Sequence, residues 1–100
     1  MAISGRHRVI DEAFLRAWSA LPAGNFEAIY NGKRYGVTRT ERSGGRQAWL
    51  WAEERGGRDR ISANLYRLAS GARLKPCEMP ARKVVDFVLH ARVANAPEEP

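Results

Sequence analysis

Apolar and polar residues alternate along the middle of this chain and recur at helical spacing towards both ends. Phe14, Leu15, Trp18 and Leu21 fall on one face of a helix. Asp11 stands where a side-chain oxygen can take the free N–H groups of a first turn, and Ile10 and Leu15 occupy the two positions of a hydrophobic staple. Leu21-Pro22-Ala23-Gly24 ends this helix, because proline disfavours helical geometry in the residue before it. Towards the C-terminus Pro80 suits the first turn of a second helix, and Ala81, Val84, Val85 and Val88 follow at helical spacing. That helix is expected to run to about Val93.

Between the helices, Asn31-Gly32, Gly44-Gly45 and Gly56-Gly57 can each supply the positive φ angles of a tight hairpin. They mark off strands near 25–30, 33–42, 46–54 and 58–68, and connections this short permit only antiparallel neighbours. The expected fold class is α+β: a four-stranded antiparallel β-meander with an N-terminal and a C-terminal helix packed on one face, in the order α-β-β-β-β-α. Residues 1–9 read as a flexible leader, 10–93 as a single domain and 94–100 as a disordered tail.

Two-residue loops make the register explicit, since residues paired across strands share a face. Phe26 then pairs with Val37, Arg39 with Leu50, and Leu50 with Ala63. One face collects Phe26, Ala28, Tyr30, Tyr35, Val37, Ala48, Leu50, Ala52, Ile61, Ala63 and Leu65 and is almost wholly apolar. Four strands about 4.8 Å apart make a sheet roughly 19 Å wide, enough for two helices at about 8 to 10 Å each. Both helices can cover that face, which leaves Trp49, Trp51 and Tyr66 uncovered on the other. A three-residue loop at Ser43-Gly44-Gly45 would instead move Trp49 and Trp51 onto the face of Val37 and into the core.

Composition narrows this picture only modestly. A chain of 100 residues with 44% apolar content can build one core without metal or disulfide staples. The net charge is +6, and between Lys33 and Lys75 eleven basic residues stand against four acidic ones, so the β region carries all of the excess. Such a balance favours polyanions, although an Arg-rich composition has the same balance without any ligand. No apolar run has the length of a membrane span or a signal peptide, which makes a cytoplasmic location the default and a membrane partner unexpected. Cys77 is the only cysteine and has no internal disulfide partner.

The candidate chemistry lies on the uncovered face, where Arg34, Arg42, Gln47, Trp49, Trp51, Arg60, Asn64 and Tyr66 gather. Aromatic rings stack on bases, guanidinium groups hold phosphates and amides read base edges, so the face suits DNA or RNA. The same residue types are enriched where a protein pairs with itself as a homodimer or with another protein. A third reading is a thiol-dependent activity at Cys77, placed just ahead of the second helix where the helix dipole favours a thiolate; the neighbouring Glu78 opposes it. His7 and His90 have no ligand-spaced companion, so neither a metal nor any other cofactor is indicated. Without a nucleophile elbow, a phosphate loop or a dinucleotide fingerprint, an enzyme is not the expected class.

Overall fold

The computed structural model describes residues 8–94. Its elements run β1 (Arg8–Val9), α1 (Glu12–Ala20), β2 (Gly24–Tyr30), β3 (Lys33–Arg42), β4 (Gln47–Glu54), β5 (Arg60–Leu68), β6 (Gly71–Pro76), α2 (Ala81–His90) and β7 (Arg92–Val93). All seven strands belong to one antiparallel sheet in the order β1-β6-β5-β4-β3-β2-β7. The class is α+β with two helices, and the arrangement α-β-β-β-β-α is corrected on three points.

First, the meander has a fifth long strand, β6. Ala72, Leu74 and Pro76 alternate with Arg73 and Lys75, and Leu68 pairs with Gly71 across a two-residue Ala69-Ser70 turn. Second, α2 stops at His90 rather than near Val93. The Ala91 N–H closes its last turn on Phe87, after which Arg92 and Val93 pair with Ile29 and Ala28 along the outer edge of β2. Third, Arg8 and Val9, within the segment expected as leader, pair with Leu74 and Arg73. Residues 1–7, and 95–100 of the expected tail, lie outside the described residues.

Asp11 caps α1, its Oδ1 accepting from the Phe14 N–H at 3.0 Å. Pro80 is the N-cap of α2, one place earlier than the first-turn position, and its missing N–H removes a donor that would lack an intrahelical acceptor there. Both helices put their apolar stripes into one core with the covered face of the sheet. Phe14 and Trp18 from α1 and Val84, Phe87 and Val88 from α2 join Ala28, Tyr35, Val37, Leu50, Ala52, Ile61, Ala63, Leu65 and Leu74.

One charged side chain enters that core. Arg39, only 6% exposed, sits opposite Leu50 and donates through Nε and Nη2 to the Leu21 carbonyl at 3.1 and 2.8 Å. Its Nη1 reaches Glu41 Oε2 at 2.6 Å. A cation just beyond the C-terminus of α1 also complements the helix dipole. Thus Arg39 ties α1 to the middle of the sheet.

The far end of the core is a ring cluster with a polar rim. Tyr30, Tyr35 and Phe87 meet edge to face, with centroids 5.0 to 5.8 Å apart. The Tyr35 hydroxyl donates to Asp59 Oδ2 at 2.7 Å, Lys83 Nζ meets Asp59 Oδ1 at 2.6 Å, and the Tyr30 hydroxyl donates to Asp86. These contacts fasten α2 to the first and third hairpins.

Candidate nucleic-acid interface

The register decides which side chains share the second face of the sheet. Arg42 pairs with Gln47, Thr40 with Trp49, and Thr38 with Trp51. On the other side Gln47 pairs with Tyr66, Trp49 with Asn64, Trp51 with Ser62, and Glu53 with Arg60. The middle loop has four residues, 43–46, and therefore keeps the parity of a two-residue loop; the three-residue alternative does not occur. Ser43, Gly44 and Gly45 all take positive φ, at 55°, 66° and 90°, the conformation that favours glycine at two of these places.

The apolar side chains of the core come from the other face, against which both helices pack, although Ser62, beside Trp51 on this second face, is also buried. β4 shows the contrast most sharply: Ala48, Leu50 and Ala52 are buried, whereas Gln47, Trp49 and Trp51 are half-buried. β4 is also the central strand of the seven. The two indoles stack at 6.1 Å between centroids and 20° between planes, and the Arg60 guanidinium lies 5.5 Å from the Trp51 ring centre, within cation–π range. Backbone pairing from both neighbouring strands holds this aromatic pair in place.

The rows across the sheet sort the remaining candidates. Arg42, Gln47 and Tyr66 form one row, which β6 completes with Arg73; Trp49 and Asn64 form the next, completed by Lys75. Arg34 stands at the opposite end, opposite Ile29 and 3.8 Å from Glu27. Arg55 also pairs with Glu27, its guanidinium lying across Gly36, where a Cβ would come within 2.6 Å of Nη2. The hydrogen bond from Arg55, with the charges of Arg55 and Arg34, holds the Glu27 carboxyl below its ordinary range against the opposing effect of burial. Charge at that end is therefore compensated within the protein.

Arg73 and Lys75 were not among the sequence-derived candidates because β6 was not recognised. The signal was present in Ala72-Arg73-Leu74-Lys75, which alternates apolar and basic residues with period two.

Cys77 continues the ladder beyond β6, its N–H donating to the Ser62 carbonyl at 2.9 Å, and Asn64 Nδ2 lies 3.9 Å from Sγ. It lies outside the first turn of α2, which begins at Ala81.

The two tyrosines at the core rim hold their protons firmly. Burial, then the hydrogen bond and charge of Asp86, raise the Tyr30 phenol to about 12; burial and Asp59 push Tyr35 up as well. Partial burial raises the Asp59 carboxyl, but hydrogen bonds from Lys83 and Tyr35 and the Lys83 charge outweigh it, leaving the group below its ordinary value. Such phenols stay neutral and Asp59 stays ionised near neutral pH, the opposite of a pair poised for proton exchange.

Among the described residues no group of three or more His, Cys, Asp or Glu side chains converges as a metal site, and no helix is long and apolar enough to cross a membrane. No family model matches the chain, and neither the curated proteins nor the solved structures contain a significant match to it.

Proposed function

We propose that this chain is a non-enzymatic binding module that takes nucleic acid on the open face of its sheet. The observation that carries the reading is the stacked Trp49–Trp51 pair, fixed on the central strand of a face that neither helix covers and bordered by Thr38, Thr40, Asn64 and Gln47. Rings with accessible π-faces beside amide and hydroxyl groups suit bases, and the surrounding arginines suit phosphates. A second copy of the chain is the competing occupant, since Trp, Tyr and Arg also concentrate at protein interfaces.

Tryptophan emission tests the proposal with the intact chain, because Trp18 is fully buried while Trp49 and Trp51 lie on the face. Titration with mixed-sequence DNA and RNA oligonucleotides at low salt is expected to quench the two face indoles and to shield them from an added aqueous quencher. Unchanged emission and unchanged accessibility with both nucleic acids would remove this reading. Sedimentation of the same sample gives the competitor its own outcome: concentration-dependent dimers in which the face indoles become inaccessible assign the surface to self-pairing.

A further inference from the structure

We infer that the nucleic acid this face takes is single-stranded, and that its phosphates lie over the end of the sheet carrying Arg42, Arg73 and Lys75 while a base stacks on Trp49. The inference rests on the nucleic-acid reading above and adds to it the form of the ligand and its direction across the sheet.

The form follows from where the indoles stand. Along the row of Trp51 the sheet runs through Thr38 to Asn25 on β2 and through Ser62 on β5 to Cys77, so at about 4.8 Å per strand it extends roughly 10 Å beyond this ring in both directions. The major groove of a DNA duplex is about 12 Å wide and about 8.5 Å deep, which admits a helix or a two-stranded ribbon but not a face of this breadth. Half-buried rings on the central strand are flanked on both sides by further strands, which keeps them from entering a groove that narrow. Trp51 carries Trp49 and the Arg60 guanidinium against its ring, so the Trp49 surface turned away from Trp51 is the platform on which an unpaired base can stack, and a single strand presents such a base. The amides of Gln47 and Asn64 and the hydroxyls of Thr38 and Thr40 surround the platform, within reach of the edges of such bases.

The direction follows from charge. At one end of the face Glu27 is engaged by both Arg34 and Arg55, while Arg60 stands opposite Glu53 and over the Trp51 ring. Arg34 and Arg55 are thus engaged by a carboxylate, and Arg60 is engaged by the Trp51 ring rather than by an acid. At the other end Arg42 and Arg73 close one row of the sheet and Lys75 closes the next, and none of the three forms an ion pair among the described residues. The nearest acid in sequence, Glu41, points to the covered face and is held by Arg39. Arg42 on β3 and Arg73 on β6 are three strand spacings apart, about 14 Å. A run of phosphates crossing the strands there meets uncompensated positive charge over that whole width, with the tryptophans one or two rows further along β4.

Binding of a labelled oligothymidylate, alone and as a duplex with its complement, measured from about 50 to 200 mM salt, tests both parts. The single strand is expected to bind more tightly than the duplex. For a single strand, log K falls against log salt with a slope of about −0.7 per neutralised phosphate, so Arg42→Gln, Arg73→Gln and Lys75→Gln should each flatten the slope by roughly that amount. Arg34→Gln and Arg55→Gln should leave it nearly unchanged. Trp49→Ala should weaken binding roughly 5- to 150-fold, the loss typical of one stacked base, with the slope retained. Thermal melts confirm that each variant is folded.

Tighter binding of the duplex would overturn the single-stranded form, and equal flattening by substitutions at both ends would overturn the direction. Either result leaves the broader nucleic-acid reading in place. No binding of either form at the lowest salt would overturn that reading too, and a strictly salt-independent self-association through the tryptophans would assign the face to a second copy.

Discussion

Arg39 donates two hydrogen bonds to the backbone carbonyl of Leu21, linking the last of the three buried positions of β3, after Tyr35 and Val37, to the end of α1 from inside the core. The carbonyl has no access to bulk water once the arginine is packed against it, so the pair is worth more than a surface contact. Arg39→Met keeps the apolar stem but leaves that carbonyl without its donors, and hydrogen bonds to charged groups contribute about 1.5 to 3 kcal/mol. A loss of that size in denaturant unfolding is expected. Arg39→Lys should recover only part of it, because a single ammonium cannot reproduce the forked geometry that reaches Leu21 and Glu41 together.

Neighbouring residues on β4 should separate stability from binding by parity alone. Leu50 is fully buried, and Leu50→Ala is expected to cost about 2 to 5 kcal/mol through the cavity it leaves. Trp51→Ala removes a half-buried ring from the open face and should cost clearly less than the roughly 3 to 5 kcal/mol of a buried aromatic truncation. Paired urea melts decide this without any ligand. A Trp51→Ala chain as unstable as Leu50→Ala would mean that the indole is core.

Acid should weaken the anchorage of α2. The folded Asp59 carboxyl lies below its ordinary 3.8, so its contribution is fully present above that value and is lost as pH falls through the lower folded pKa. Asp59→Asn is expected to destabilise the chain near neutral pH and to flatten the stability profile below about pH 4. An Asp59→Asn profile that still falls as steeply as wild type in that window would show that another carboxylate controls it.

Alkali acts on the same end of the core with the opposite sign. Tyr30 titrates at about 12 in the folded chain against 10.0 ordinarily, so the folded state holds this proton more tightly. Its stabilising contribution is complete below about pH 10 and disappears between there and about pH 12. Ultraviolet titration should show Tyr30 and Tyr35 forming phenolate only well above the ordinary tyrosine range, and Tyr30→Phe should reduce the alkaline loss of stability. Phenolate absorbance from Tyr30 and Tyr35 that is complete near pH 10 would contradict the burial of the pair.

What could be read from residues alone was the local pairing. Asn31-Gly32 makes its turn with φ of 52° and 75°, and the two diglycine loops each add an even number of residues, so the faces of β2 to β5 follow from simple counting. The parts that escaped depend on distant partners. β6 turns on Ala69-Ser70, which carries none of the usual hairpin chemistry. Arg92 and Val93 continue a good helical pattern, but pairing with the edge of β2 draws them out of it, a tertiary gain that outweighs local propensity. β1 could not be foreseen while the strand it pairs with was unrecognised. The candidate site was accordingly legible in its tryptophans and incomplete in its cations, because Arg73 and Lys75 ride on the strand that was missed.

Both borders of the sheet end in strands of two residues, β1 beside β6 and β7 beside β2. An exposed strand edge is a template on which other chains can polymerise, and very short border strands are one of the ways natural sheets blunt it. β1 covers Arg73 and Leu74 of β6 and β7 covers Ala28 and Ile29 of β2, so each interrupts the edge along which a foreign strand would build a ladder. The protein can therefore keep a broad, sticky aromatic face turned to its surroundings at high concentration while its margins resist fibre growth, and loss of the first nine residues would bare β6 and remove half of that protection.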